Sequence, residues 1–221
     1  MSEILYNILL PVHIICGAMG LVLGTANLIR RKGDPPHRRI GRLFVAAMIT
    51  AGCSAIVLSV IHPNFFLTVV GIFTVYMVGT GHRYILLRLR EVDNDARNLD
   101  WALTIGMAIA VGLFVILGIR ALLQQNMMGI AYLVFAFIGF RFVKVDFDNY
   151  RSRSRHRNYW LLAHLQRMTG GYIAALTAFL VVNADRFPEF IPGVVYWLLP
   201  TVILTPMIIK WSRDYSIGHR A

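Results

Sequence analysis

Seven stretches of predominantly apolar residues, each about 17 to 25 long, follow one another along nearly the whole chain, and nothing else restricts the fold so tightly. A helix rising about 1.5 Å per residue crosses the ~30 Å hydrocarbon core of a bilayer in that length. Windows of about 19 residues place candidate helices at about 5–29, 41–61, 65–88, 101–120, 128–145, 160–183 and 190–210. Of the 221 residues 57% are hydrophobic and 15% charged, whereas soluble domains are about 45–50% apolar and about 25% charged. The expectation is an all-α, polytopic transmembrane bundle of seven spans, forming a single domain over residues 1–221.

Turn chemistry marks several linkers: Gly33, Asp34, Pro35 and Pro36 after the first segment, Pro63 and Asn64 after the second, Pro188 before the seventh. No heptads, low-complexity tails or tandem repeats interrupt the pattern. The first apolar segment lacks a basic stretch before it, so a cleaved secretory signal is not expected. Cys16 and Cys53 lie inside apolar segments without a Cys-x-x-Cys motif, and are expected to pack rather than to bind metal or cross-link.

The net charge of +11 does not point to nucleic acid, because the basic residues lie in short runs between apolar segments. Arg30, Arg31, Lys32, Arg38, Arg39 and Arg42 fill the first loop, and Arg83, Arg88, Arg90 and Arg97 the third. Arg141, Lys144, Arg151, Arg153, Arg155 and Arg157 fill the fifth, and Lys210, Arg213 and Arg220 the tail. That places 19 of the 22 Lys and Arg residues on alternate loops, with Arg167 on the same side and only Arg120 and Arg186 opposite. Short basic loops are retained in the cytoplasm, so the N-terminus is expected outside and the C-terminus inside. Trp101, Trp160 and Trp211 fall at the inner ends, where indole rings favour the headgroup level. The basic loops, which fix topology, also suit the headgroups of anionic lipids.

Small residues mark close helix approaches: Gly17, Gly20 and Gly24 in the first segment, Ala47, Ala51 and Ala55 in the second, Gly170, Gly171, Ala174, Ala175 and Ala178 in the sixth. Pro200 and Pro206 are expected to kink the seventh. No Asp or Glu falls within an expected hydrocarbon core; Asp100, Asp146, Asp185 and Glu189 lie at ends or in loops. That counts against a proton-driven carrier, which commonly keeps a carboxylate near the midplane.

Histidine is then the candidate for chemistry. His82 lies roughly 8 to 9 Å inward of its span's centre and His164 roughly 10 Å, at about 1.5 Å per residue. Two histidines at one depth on different helices can supply the axial ligands of a b-type haem. Arg83, Arg141 and Arg167 are expected near that level, where guanidinium groups could pair with propionates. Gly79, Gly81, Gly170 and Gly171 would leave room for the macrocycle. Two alternatives stay open. Each histidine could bond a carbonyl, Thr80, Tyr84 or Thr169 of a neighbouring helix and only pack. His37, His82 and His164 could instead form a three-histidine zinc site for hydrolysis, as in known seven-helix zinc hydrolases, although no intramembrane Asp supplies a base. His13, roughly 6 Å outward of centre, would need His62 as partner for an outer site. His156 and His219 read as solvated.

Several stretches together carry a resemblance: His13-x3-Gly17-x6-Gly24, the run from Lys32 through Gly33, Asp34, Pro35, Pro36, His37 and Arg38 to Gly41, Gly81-His82-Arg83, His164-x3-Met168, and Tyr172 to Phe179. In these the chain resembles a bacterial family of multi-pass membrane proteins without an assigned function, over segments one to three and six. The resemblance implies a bacterial cytoplasmic membrane location. The early segments are also similar, at the level of fold, to cytochrome b561-like membrane proteins, whose histidine pairs do not map here residue by residue. The functional expectations are therefore a b-haem electron carrier, with quinone or another redox partner; a non-enzymatic transporter or accessory subunit; or a zinc-dependent membrane hydrolase.

Overall fold

The computed structural model describes residues 2–88, 96–151, 158–188, 190–191 and 193–217. Arg90, Arg153, Arg155, Arg157, His156, Glu189, His219 and Arg220 lie outside the described residues. Seven α-helices and one short 3-10 turn, with no strand among the described residues, make up the chain. They are α1 Ser2–Ile29, α2 Pro35–Ile61, α3 Phe65–Arg88, α4 Asn98–Leu123, α5 Met128–Tyr150, α6 Tyr159–Val182 and α7 Gly193–Ile217, the turn Ala184–Arg186 preceding α7. All seven are long and apolar enough to cross a membrane, which fits a multi-pass membrane protein. Their outward faces are apolar too: Val60, Ile109, Ile116 and Phe137 are exposed.

The helices run longer than the apolar pattern at several ends, each for a local reason. The α2 helix starts at Pro35 rather than near residue 41, because the Asp34 carboxylate accepts the His37 backbone N–H at 2.7 Å and two prolines occupy the first turn. Gly33, at φ 83°, makes the turn into that cap. The α4 helix starts at Asn98, where the Asp100 carboxylate accepts the Arg97 backbone N–H at 2.9 Å. The α5 helix continues to Tyr150, past the expected end at 145, because its polar last turns are buried.

Packing is centred on α3 and α6. The α3 helix touches α2, α4, α5 and α6, while α6 touches α1, α3 and α7; α4 and α5 pack chiefly on each other and reach the rest mainly through α3, with Arg167 of α6 meeting α5. Small residues permit the closest approaches. A methyl group on Gly52 would stand 2.8 Å from Val75 Cγ2, and one on Gly171 2.8 Å from Val78 Cγ2. Ala47, Ala51 and Ala55 are buried as expected. Gly17 has nothing within 4 Å of its would-be side chain, and Cys53 lies on an exposed face, so neither packs against a neighbour as its sequence context suggested.

The ends of the bundle differ in character. One, the basic end, carries the α1–α2 loop, the start of α4 and the close of α7. At it Lys32 donates to Asn27 O and Leu28 O, each at 2.7 Å, capping α1, and its Nζ lies 4.5 Å from the Trp211 ring centroid.

Candidate functional site: a buried charge network

The α3 helix places Tyr76, Thr80 and Tyr84 at intervals of four, which puts all three on one face. Thr104 of α4, Asp146 and Asn149 of α5, and Arg167 of α6 converge on that face. Asp146 and Arg167 form an ion pair with no exposed side-chain surface on either partner. The same carboxylate accepts from Tyr84 OH at 2.6 Å on Oδ1, and from Tyr76 OH at 2.6 Å and Thr104 Oγ1 at 3.1 Å on Oδ2. With Arg167, that makes four donors on a group that offers about four acceptor sites, the full complement of an ionised carboxylate.

Arg167 is held less completely. Its second nitrogen lies 3.4 Å from Thr80 Oγ1, and the nitrogen that meets Asp146 lies 3.4 Å from Phe142 O. Its Nε is buried without a partner. The guanidinium carbon stands 4.9 Å from the Tyr84 ring centroid, 5.0 Å from Phe142 and 5.6 Å from Tyr76. Aromatic faces on three sides offset part of the desolvation of this cation. Asn149 donates to Tyr84 OH at 3.0 Å, extending the network toward the end of α5. Nearby, Trp101 packs edge-on against Phe147 and Tyr150, each at 5.3 Å.

A second pair lies at the basic end. Arg83 grips Asp100 with both forks, Nε to Oδ1 at 2.6 Å and Nη2 to Oδ2 at 2.8 Å, and Asp100 is fully buried. The α4–α5 hairpin is thus tied to α3 and α6 by two carboxylates, Asp100 and Asp146.

This arrangement changes the reading of the carboxylates. Asp146 is no loop residue: it belongs to a helix that continues past it and sits inside the bundle. Hydropathy ended the segment early because Lys144, Asp146 and Asp148 lower the local average. Two signals in the sequence pointed to Asp146. An arginine inside an apolar helix needs a counter-charge on a neighbour, and a Tyr-x3-Thr-x3-Tyr stripe in another helix supplies the matching donors.

The expected histidine site is only partly assembled. Helices α3 and α6 are neighbours, and His164 Nδ1 donates to Gly81 O at 2.9 Å. A carbonyl only accepts, so the proton sits on Nδ1 and Nε2 keeps its lone pair. His82 is half-buried and lies within electrostatic reach of Arg42, Arg83 and His164. The space assigned to a macrocycle is filled: a methyl group on Gly81 would meet Arg167 Cβ at 3.0 Å, and one on Gly170 would meet Met77 Cε at 2.5 Å. Arg83 and Arg167 are engaged by Asp100 and Asp146, and Arg141 lies on the exposed stripe of α5 with Phe137 and Phe140. These residues do not fit a haem clasped between α3 and α6.

His37 serves the α2 N-terminus through its backbone, and its Nδ1 is buried without a partner. Among the described residues no three His, Cys, Asp or Glu side chains lie together as a metal-holding group, so His37, His82 and His164 are near one another without converging. His13 donates from Nδ1 to Ala51 O at 2.9 Å, while His62 sits against Tyr6, at 4.3 Å between ring centroids, and Glu3, at 3.6 Å; the two do not form a site. Comparison with known proteins gave no match to a family model, a curated protein or a solved structure.

Proposed function

We propose that this chain is a proton-coupled carrier of the bacterial cytoplasmic membrane, with the N-terminus outside, the basic end in the cytoplasm, and Asp146 and Arg167 as the coupling pair. One observation carries the reading: a carboxylate and a guanidinium, both without exposure, meet inside a bundle of membrane-length helices. Ionisable groups there are expensive, and they mark ion and proton pathways. The objection to a carrier was the lack of a carboxylate inside the bundle, and the full burial of Asp146 speaks against that objection.

The chemistry follows from the donor count. A proton added to Asp146 converts an acceptor site into a donor, so at least one of Arg167, Tyr76, Tyr84 and Thr104 must let go. Release of Arg167 unfastens α5 from α6, where the α4–α5 hairpin has few other contacts. Protonation and hairpin position are then linked, and a carrier needs that linkage to exchange a proton for a solute.

The test needs no known substrate. An infrared difference spectrum recorded with and without an imposed proton gradient in reconstituted vesicles is expected to show a carboxyl band that Asp146→Asn removes. Its absence would overturn the proton-coupled reading. Asp146→Asn with Arg167→Gln should keep the fold and abolish the proton flux that an imposed pH gradient drives in the same vesicles.

A zinc ion or haem iron bound at His164 outside the packed α3–α6 seam is a second reading on one observation. His164 is oriented by a carbonyl on Nδ1 with the lone pair kept on Nε2, the arrangement that prepares a ligand histidine. A Soret band after growth with ample haem, or stoichiometric zinc in the purified protein, would establish it; neither signal would leave it without support.

A further inference from the structure

On the side of the bundle away from α4 and α5, α1 and α7 both pack on α6 but scarcely on each other. Between them runs a groove of about 270 Å³, lined by Leu28, Leu176, Leu180, Leu199, Leu204 and Met207. From Tyr172 to Leu180 on α6, and from Leu199 to Met207 on α7, the lining extends eight residues, about 12 Å along each helix. That shape suits a chain rather than a compact solute.

The lining has one polar feature. Thr25 Oγ1 donates to Leu21 O at 2.8 Å, so the 2.6 Å contact between Thr25 and Tyr172 has the tyrosine as donor. Both hydroxyl hydrogens are therefore spent inside the protein. A quinone ring, recognised through its carbonyls, would find no donor here; a hydrocarbon chain requires none.

Charge at the rim identifies the other half of the occupant. Lys210 lies one turn beyond Met207 on the same face of α7, and Arg31 follows two residues after Ile29, which also lines the groove. Both are exposed, and neither forms an ion pair among the described residues. Lys32, next to Arg31 in the chain, is already engaged by the α1 carbonyls and Trp211. Two cations unpaired among the described residues, each within three residues of the groove lining, match a phosphate joined to an acyl tail.

We propose that the α1–α6–α7 groove is a binding site for an anionic phospholipid, its tail along Leu176 and Leu204 and its phosphate at Arg31 and Lys210. The site is separate from the charge network and does not depend on the carrier reading. The probes are phosphatidylglycerol and phosphatidylcholine, offered to the full chain in detergent and followed by native mass spectrometry after delipidation.

The expected result is one retained phosphatidylglycerol per chain. Leu176→Trp and Ile203→Trp, which fill the groove from α6 and from exposed Ile203 on α7, should each lose it. Ile109→Trp on the outward face of α4 should keep it. Arg31→Gln and Lys210→Gln should each weaken phosphatidylglycerol retention about fivefold, at about one surface charge's contribution, and leave phosphatidylcholine unaffected. No retained lipid, undiminished retention in a folded groove-filling variant, equal retention of the two lipids, or a second copy of the chain in place of lipid would each overturn the proposal.

Discussion

Where α2, α3 and α6 meet, the contacts are made by Gly52, Gly71, Val78 and Gly171, small groups that let backbones nearly touch. Where α5 meets α3 and α6, they are made by Asp146, Arg167, Tyr76 and Tyr84, large groups joined by hydrogen bonds and charge. In hydrocarbon the first kind gains from dispersion and has one arrangement, because a packed backbone contact leaves no alternative partner. The second is satisfied only while every donor finds its acceptor, so a single proton can alter it. One seam is built to stay shut, and the other to be opened at a cost.

The widest separation between the two seams is expected from Arg167→Leu, which leaves Asp146 buried without its cation. Breaking a buried pair costs about 3–5 kcal/mol, read as resistance to denaturant in detergent micelles. Asp146→Leu with Arg167→Leu should recover most of that loss. A single variant as stable as the wild type would erase the distinction drawn above.

Tyr84→Phe removes one hydrogen bond to the charged carboxylate and the one that Tyr84 accepts from Asn149, and leaves the ring. A loss of about 1.5–3 kcal/mol is expected, in the range for bonds to charged groups, in the same unfolding assay. On the glycine side, Gly52→Leu drives a side chain into Val75 and the Gly71 carbonyl. Overpacking of this kind costs about 1–3 kcal/mol, while Gly17→Leu, facing open space, should stay within about 0.5 kcal/mol of wild type. Equal effects at Gly17 and Gly52 would show that close approach is not what the first seam depends on.

The smallest effect concerns Lys32. Partial burial lowers its amine below the ordinary lysine range. The folded state then releases this proton before the unfolded state does, so the unfolded chain binds more protons and stability rises with pH through the folded pKa. Below it the charged form bears the desolvation cost in full. Lys32→Met should remove this upward slope on the acid side of the ordinary lysine pKa of about 10.5; a slope unchanged in the variant would exclude Lys32 as its source.

The positions of the seven helices were legible because twenty apolar residues in succession have few other uses. Their ends were not, since a cap such as Asp34 or Asp100 adds turns that hydropathy counts as loop. The charge network shows the same limit more sharply. Asp146 lowers the hydropathy of its segment and so removes itself from the helix, although its burial depends on Tyr76, Tyr84 and Arg167 in distant parts of the chain. Averages along one segment carry no information about partners on another. The histidines illustrate the reverse: His82 and His164 do lie on neighbouring helices, yet the glycines expected to make space between them are what brings those helices too close to leave any.

The order of the chain adds a consequence for its synthesis. A ribosome delivers α3 and α4 before α5, and α6 after it, so Asp146 meets Tyr76, Tyr84 and Thr104 one helix before it meets Arg167. Until then the three hydroxyls must hold the acid alone, and the arginine in turn enters a membrane in which its counter-ion is already waiting. Neither charge of the pair has to be inserted without a reception, which explains how so costly a contact can be assembled at all.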